Sequence, residues 1–129
     1  MRNDNRLLLA GDIGGTKTTL ALFTPDGGTR RPLAQATYAS TEHDSLEGIV
    51  AQFLRGKHVR VTEASFGVAG PVVEEGAQVT NLAWRVDGRL LSRVLDGAPV
   101  HIYQRRQPAA ELGRLARSIA LAQAGNGAG

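Results

Sequence analysis

The stretch of this sequence best equipped for chemistry is GDIGGTKTTLALF at residues 11–23, where an aspartate precedes two adjacent glycines and a threonine. A polyphosphate site needs backbone N–H groups aimed into a concave turn, glycines that let the ligand approach, and an acidic group for a metal ion. Gly14 and Gly15 would supply the close approach and an unusual φ, Thr16 a hydroxyl, and Asp12 a group that orients the water shell of Mg²⁺. The pattern therefore predicts a phosphate-holding turn.

Two familiar nucleotide-binding patterns do not fit this stretch. A Walker A loop requires glycine immediately before its lysine, but Thr16 precedes Lys17. A Rossmann fingerprint requires G-x-G spacing and a following helix, whereas the alternation after Gly15 predicts a strand. On composition alone a second interpretation stays open, in which the glycines form a tight hairpin turn and Asp12 caps it.

Other kinds of site find little support. The chain contains no cysteine, which excludes disulfides and thiolate metal sites. His43, His58 and His101 have no metal-ligand spacing, and we expect them on the surface or in packing contacts. The only tryptophan, Trp84, is expected in the core rather than under a sugar ring.

The charge distribution argues against a nucleic-acid partner. The formal net charge is +3, but the charges of residues 1–100 cancel and the excess lies in residues 101–129. That segment has one aromatic residue, Tyr103, and therefore no platform on which bases could stack. At the other end, the apolar run before Gly11 is only four residues long, too short for a signal peptide or a membrane span. We therefore predict a cytoplasmic protein without a membrane partner.

The elements that must position these residues follow from apolar spacing. Short β-rich runs and the turn TPDGG at residues 24–28 predict a three-stranded antiparallel meander before the first helix. A strand, a hairpin, a second helix and a last strand follow, which makes an α/β fold of β-β-β-α-β order, a mixed sheet covered by helices. The predicted strands are 6–10, 16–23, 33–38, 63–68, 72–74, 78–80 and one that begins at Val100.

Both predicted helices have an apolar face. In the first, within residues 43–56, we expect Asp44 to cap the N-terminus with Glu47 three residues later, and Gly56 to occupy the C′ position. The second opens at Asp87 and ends by Gly97 and Pro99. The apolar positions are Leu46, Ile49, Val50, Phe53 and Leu54 in the first helix and Leu90, Leu91, Val94 and Leu95 in the second.

Three ordered motifs resemble those of the bacterial glucokinases, members of the actin-like sugar-kinase superfamily with a ribonuclease H-like fold. LLAGDIGGTKTTLAL at 8–22 is similar to the first phosphate-binding motif of that family. ASFGVAGPV at 64–72 and VTNLAW at 79–84 resemble its next two motifs, and VDGRLLSRVLDGAPVHI at 86–102 resembles the helix and strand that come after. The resemblance covers roughly residues 6–102.

The resemblance implies ATP and Mg²⁺ as cofactors and glucose as the substrate. It places the ATP phosphates on the first motif, with Asp12 facing the metal, and it brings Asn81 near the sugar, where an asparagine that holds its own turn is an equal alternative. Gly67, Gly70 and Pro71 would shape the turn at the cleft, and Lys17 is expected to be solvated. The phosphate segment carried over in this way is Gly11, Asp12, Ile13, Gly14, Gly15 and Thr16.

The base that the family would place after the last strand is missing. A sugar kinase needs a group that accepts the sugar hydroxyl proton, and the resemblance implies an aspartate in an Ile-Asn-Asp pattern. Here the chain reads VHIYQRRQPAA, with Arg105 near that position and no acid before Glu111. Tyr-Gln-Arg-Arg-Gln can be written TAT-CAA-CGA-CGT-CAA, which gives Ile-Asn-Asp-Val one nucleotide later. We hypothesise that the chain after about Ile102 is read out of frame.

The expected organisation is a phosphate-binding domain at 1–102 and an Arg/Ala-rich tail at 103–129, partly helical or disordered. The expected function is ATP-dependent phosphorylation of glucose to glucose 6-phosphate in glycolysis, with this chain inactive alone as an incomplete N-terminal part. Another hexose kinase of the same superfamily is the nearest alternative. A non-catalytic remnant or interaction module, with apolar surface exposed where a partner domain should sit, is the alternative from another class.

Overall fold

A mixed sheet forms the centre of the protein. The computed structural model describes residues 6–24, 32–70, 72–73, 76–79 and 84–104. The elements in chain order are β1 (Arg6–Ile13), β2 (Lys17–Phe23), β3 (Ala34–Ala39), a 3₁₀ turn (Ser40–Glu42), α1 (Leu46–Leu54), β4 (Arg60–Val68), β5 (Val72–Val73), β6 (Gly76–Gln78), β7 (Arg85–Asp87), α2 (Gly88–Val94) and β8 (Val100–Gln104).

Within the described residues, five strands form this sheet in the order β3-β2-β1-β4-β8. The first three strands pair antiparallel, while β1 pairs parallel with β4 and β4 parallel with β8. Parallel neighbours need a long crossover, and α1 lies in the connection from β3 to β4. The predicted α/β class and β-β-β-α-β order are confirmed.

Strand β1 is longer than expected and lies at the centre of the sheet. It runs to Ile13 rather than ending at Ala10, because residues 11–13 pair with β2 on one side and with β4 on the other. The starts of β2 and β3 each lie one residue after their predicted positions. The carboxyl ends of β1, β4 and β8 therefore reach the same edge of the sheet.

One face of the sheet packs against the helices. Alternating side chains of β1, β2 and β4 point to this face, and they form one buried cluster with α1. Leu9, Ile13 and Phe66 are fully buried there, and burial of each such side chain contributes roughly 1.5–3 kcal/mol. Of the five apolar positions predicted for α1, Leu46, Ile49, Val50 and Phe53 are buried and Leu54 is half-buried.

The first turn of α1 corrects one expectation. Ser45, not Asp44, is the N-cap, and its hydroxyl accepts a hydrogen bond from the Gly48 amide at 3.1 Å. The helix begins at Leu46, one position later than an Asp44 cap allows, because the 3₁₀ turn and an extended His43 occupy the chain before it. At the other end Gly56 has a φ of 78°, which confirms the predicted C′ glycine.

The region after β4 forms a second, three-stranded antiparallel sheet of β5, β6 and β7. The predicted hairpin is confirmed, but Gly76 and Ala77 lie in β6 rather than in its loop. Strand β7 was not predicted, because only three residues alternate between the hairpin and the helix. Its last residue, Asp87, caps α2 as expected, and its carboxylate accepts from the Arg89 and Leu90 amides.

The apolar face predicted for α2 is half wrong. Leu91 and Leu95 are buried in the core, whereas Leu90 is 43% and Val94 38% exposed. Helix α2 packs against α1 and β8, and two of its four apolar side chains remain on the surface.

The last described strand runs two residues beyond the domain boundary predicted at residue 102, since β8 ends at Gln104. Residues 105–129 of the tail predicted at 103–129 lie outside the described residues. Among the helices of the described part, none is long and apolar enough to span a bilayer.

Candidate functional site

The glycine pair lies in the turn that joins β1 to β2. The Gly14 amide donates to the Lys17 carbonyl at 2.9 Å and closes the turn. Gly15 is half-buried and Thr16 is exposed at its tip. Within the described part of the chain, neither the Gly15 nor the Thr16 amide meets an acceptor. Two successive open amides at a turn are suited to anion binding.

The backbone of this turn differs from expectation in one respect. The described glycines with positive φ are Gly56 and Gly97, so the prediction that Gly14 and Gly15 supply an unusual φ is wrong. Neither glycine carries a side chain, so a ligand can approach the backbone closely at these two positions.

Ser40 stabilises this turn by donating two hydrogen bonds to its backbone. Its amide donates to the Thr16 carbonyl at 2.9 Å, and its hydroxyl donates to the Gly14 carbonyl at 2.7 Å. The Thr18 hydroxyl lies 2.8 Å from the Ser40 hydroxyl, and both side chains are fully buried. Sequence reasoning missed Ser40. Its place beside the turn follows from the register of β2 and β3, in which Lys17 pairs with Ala39, and the position of TPDGG in the sequence does not fix that register.

Asp12 lies on the opposite face of the sheet from the helical core. Its cross-strand neighbours are Thr19 on β2 and Gly67 on β4, and Gly67 in turn pairs with Tyr103 on β8. Gly67 has no side chain to cover the neighbouring carboxylate. The donors fit Mg²⁺, which is commonly held by one or two carboxylates together with water and phosphate oxygens. No group of three metal-ligating side chains occurs among the described residues.

Gly11 and Ile13 face the other way, into the core. A Cβ at Gly11 would lie 2.5 Å from Cδ1 of the Phe66 ring and 2.9 Å from Cδ2 of Leu20. Glycine at position 11 is therefore required by packing. The side chain of Ile13 is fully buried, so only backbone atoms of these two residues can reach a ligand.

The turn after β4 meets the turn after β1. The Ala69 amide donates to the Ile13 carbonyl at 2.9 Å, and the Gly70 amide donates to the Val68 carbonyl at 3.0 Å. The structure thus brings the first two motifs together at the carboxyl edge of the sheet, where ligands commonly bind in open α/β folds. Pro71 lies outside the described residues.

Strand β8 ends at the same edge, with Gln104 beside Val68. The position expected for a base, near Arg105, follows directly and lies outside the described residues, as does Asn81. The expectation of a missing base and of a sugar contact at Asn81 therefore stay predictions.

The remaining candidates have structural contacts. Trp84 packs against the core, and Lys17 and His58 are exposed. The His43 ring makes an edge contact with Tyr38. The Nε2 atom of His101 lies 2.6 Å from a Glu63 carboxylate oxygen. None of these arrangements is a metal site.

The chain is similar to proteins that phosphorylate sugars. The family model described as Glucokinase matches residues 9–103. A glucokinase from Nostoc punctiforme is 46% identical over 99 residues, which are 75% of this chain and 28% of the relative. The chain therefore spans less than a third of the length of this relative.

Two solved structures share the fold. A glucokinase from an Antarctic psychrotroph matches with a TM-score of 0.66 and 24% identity, over 80% of this chain and 33% of its own. A ROK family glucokinase from Streptomyces griseus, in complex with glucose and AMPPNP, matches with a TM-score of 0.57 and 23% identity over 76% of this chain and 33% of its own.

Proposed function

The chain belongs to the glucokinase family, and on that premise we propose that it forms the phosphate-binding part of a cleft in which ATP phosphorylates glucose. The observation that carries the proposal is the turn after β1, where the amides of Gly15 and Thr16 are open and Asp12 lies two residues away from the glycine pair. The second motif supports it, because Ala69 joins that turn at the same edge of the sheet.

ATP and glucose are the proposed substrates. The Streptomyces griseus glucokinase of similar fold is in complex with glucose and AMPPNP, and the Nostoc punctiforme relative is named glucokinase. The product would be glucose 6-phosphate, in the cytoplasm, at the entry to glycolysis. Another hexose as acceptor is the nearest alternative. A panel of glucose, mannose and N-acetylated sugars on the complete enzyme distinguishes the two.

Phosphoryl transfer depends on positioning and on neutralising charge at the phosphate oxygens. In this proposal the Gly15 and Thr16 amides donate to phosphate oxygens, and the Thr16 hydroxyl adds a third donor at the tip. Asp12 would hold Mg²⁺ through its water shell. When bound, Mg²⁺ would supply positive charge that offsets the negative charge of the phosphate oxygens.

The 129-residue chain is proposed to be inactive by itself. Gln104 and Arg105 stand where the resemblance implies an aspartate base, and neither an amide nor a guanidinium can accept the sugar proton. A coupled assay for glucose 6-phosphate should detect no ATP-dependent turnover by the purified chain. Substantial turnover would contradict the proposed absence of a base.

The anomaly after β8 is proposed to arise from a shifted reading frame. The match to the family model ends at residue 103, which supports this. One choice of codons for residues 103–107, read one nucleotide later, would encode Ile-Asn-Asp-Val. Sequencing the gene through the codons for residues 102–107 tests the proposal. A shifted frame that stops, or that continues without kinase-like sequence, would refute it.

Nucleotide binding by the existing chain tests the phosphate site. On titration with MgATP, the amide resonances of Gly15 and Thr16 should shift in ¹H–¹⁵N spectra. Asp12→Asn should remove the part of the affinity that depends on Mg²⁺ and leave binding of metal-free triphosphate. Asp96→Asn is the matched control, because Asp96 is exposed in the loop before β8, at the opposite edge of the sheet, where its φ of 57° suits asparagine.

A non-catalytic interaction module is the second candidate, favoured by one observation. Leu90 and Val94 lie one helical turn apart on α2 and both are exposed, as expected of a surface that another chain or domain covers. Concentration-dependent association without any nucleotide-induced rise in Tm would favour this function over the kinase.

A further inference from the structure

We propose that Ser40 and Thr18 are positioning residues that aim the Gly15 amide at a phosphate group. The inference rests on the proposed function and deepens it, because it concerns how the same turn is held. Neither residue lies in the phosphate segment that the family resemblance implies. Thr18 lies in β2, and Ser40 is the first residue of the 3₁₀ turn.

The hydroxyl groups of Thr18 and Ser40 form two successive hydrogen bonds whose donors and acceptors can be assigned. The Ser40 hydroxyl has a single proton, which it donates to the Gly14 carbonyl at 2.7 Å. The contact of 2.8 Å between the Ser40 and Thr18 hydroxyls must then have Thr18 as donor. The order is Thr18 to Ser40 to the Gly14 carbonyl.

These two hydrogen bonds fix the orientation of the peptide group between Gly14 and Gly15. The C=O and N–H groups of a planar trans peptide point in opposite directions, and the described residues contain no cis peptide. Since the Gly14 carbonyl points toward Ser40, the Gly15 N–H points away from Ser40. It is the same amide that meets no acceptor in the described part of the chain.

Burial makes the arrangement rigid. Thr18 and Ser40 are fully buried, so water cannot replace either hydroxyl without opening the fold. A second bond, from the Ser40 amide to the Thr16 carbonyl, holds the other side of the tip. A donor held in place before the ligand arrives costs less to organise on binding.

A purely structural role for the two hydroxyls makes a different prediction, and the same strands provide the control. The hydroxyls of Thr19 and Thr37 lie 3.0 Å apart across β2 and β3, on the opposite face, and do not contact the turn. Thr37→Val therefore removes a hydroxyl–hydroxyl contact that involves β2, as Thr18→Val does, but this contact has no hydrogen bond to the Gly14 carbonyl.

The test uses the full 129-residue chain and inorganic tripolyphosphate as the probe. The Gly15 amide resonance is followed in ¹H–¹⁵N spectra for the wild type, Ser40→Ala, Thr18→Val, Thr18→Ser and Thr37→Val. Ser40→Ala and Thr18→Val each break the series of hydrogen bonds that runs from Thr18 through Ser40 to the Gly14 carbonyl. Each should shift the Gly15 resonance of the unbound protein and raise the Kd for tripolyphosphate about five- to tenfold, the loss expected for one oriented hydrogen bond. Thr18→Ser keeps the hydroxyl and should restore both the resonance and the Kd. Thr37→Val should stay within about twofold of the wild-type Kd, as surface substitutions away from a site usually do.

The possible outcomes distinguish a failure of the positioning role from a failure of the proposed phosphate site. If the wild type binds tripolyphosphate at Gly15 and both Ser40→Ala and Thr18→Val bind equally well, the positioning role is wrong and the phosphate site stands. If the wild-type amide does not respond at all, the phosphate site fails and the positioning role fails with it. Should Ser40→Ala not fold, comparison of Thr18→Val with Thr18→Ser still decides the question.

Discussion

Replacement of Gly11 by alanine should destabilise the protein by overpacking its core. The added Cβ would lie 2.5 Å from Cδ1 and 2.9 Å from Cε1 of the Phe66 ring, with Cδ2 of Leu20 also at 2.9 Å. Carbon atoms in contact normally sit about 3.5–4.0 Å apart, so the ring must move by about 1 Å. Phe66 is fully buried, so its ring is surrounded by close-packed atoms that resist such a shift.

The expected cost is about 2 kcal/mol, within the range of roughly 1–3 kcal/mol found for overpacked cores. For a domain of about 100 residues this corresponds to a fall in Tm of about 10 °C. Urea unfolding, followed by far-UV circular dichroism and by the fluorescence of the single tryptophan, gives the free energy directly.

A double-mutant cycle identifies the cause. Phe66→Leu shortens the clashing side chain, so the variant that carries both changes should be more stable than the sum of the two single effects predicts, by about 1 kcal/mol or more. Gly48→Ala is the matched control, because its Cβ would meet only the Ser45 hydroxyl at 3.4 Å. Alanine is the better helix former, so that variant should be slightly more stable than wild type. Strict additivity, or a Gly11→Ala protein within about 0.5 kcal/mol of wild type, would refute the packing argument.

Three further predictions concern caps, a turn and pH. Ser45→Ala should cost about 1 kcal/mol by loss of the α1 cap, with Asp44→Ala unchanged in Tm; equal losses would contradict the capping assignment. Gly56→Ala should cost about 1–2 kcal/mol in urea unfolding, because its φ of 78° is strained for alanine; an unchanged midpoint would oppose this. Burial raises the pKa of Tyr38 above 10.0, so the folded state keeps a proton that the unfolded chain releases. Stability should therefore fall as pH rises past 10, and Tyr38→Phe should lessen that fall; identical alkaline profiles would speak against it.

The architecture of the sheet was predictable because its signals are local and redundant. The alternation in β2 and the TPDGG turn specify a hairpin, and the helical spacing in α1 specifies which of its residues are buried. The family resemblance then gave the order of the motifs. The predicted ends of strands were wrong where strand pairing determines them. The end of β1 is one case, because its pairing with β4 depends on residues far away in sequence.

The site was predictable in part. Residue type and spacing predicted Asp12, Gly14, Gly15 and Thr16, and their role in binding phosphate stays a prediction. Ser40 was missed, because a single serine after a strand has no pattern of its own, and its importance appears only when the register of three strands is known. Gly11 carried a misleading signal, since a glycine needed for packing against Phe66 looks in sequence like one that makes room for a ligand.

The parallel pairing of β1 with β4 sets an order of events during synthesis. The contact between Ser40 and Gly14 spans 26 residues, whereas that between Thr62 and Leu7 spans 55. A ribosome adds about 5–20 residues per second, so the nascent chain holds a complete meander well before β4 emerges. During that interval β1 is an unpaired edge rich in leucine, the kind of edge that promotes aggregation. We therefore expect the yield of folded protein to depend on how quickly translation proceeds from β3 to the end of β4.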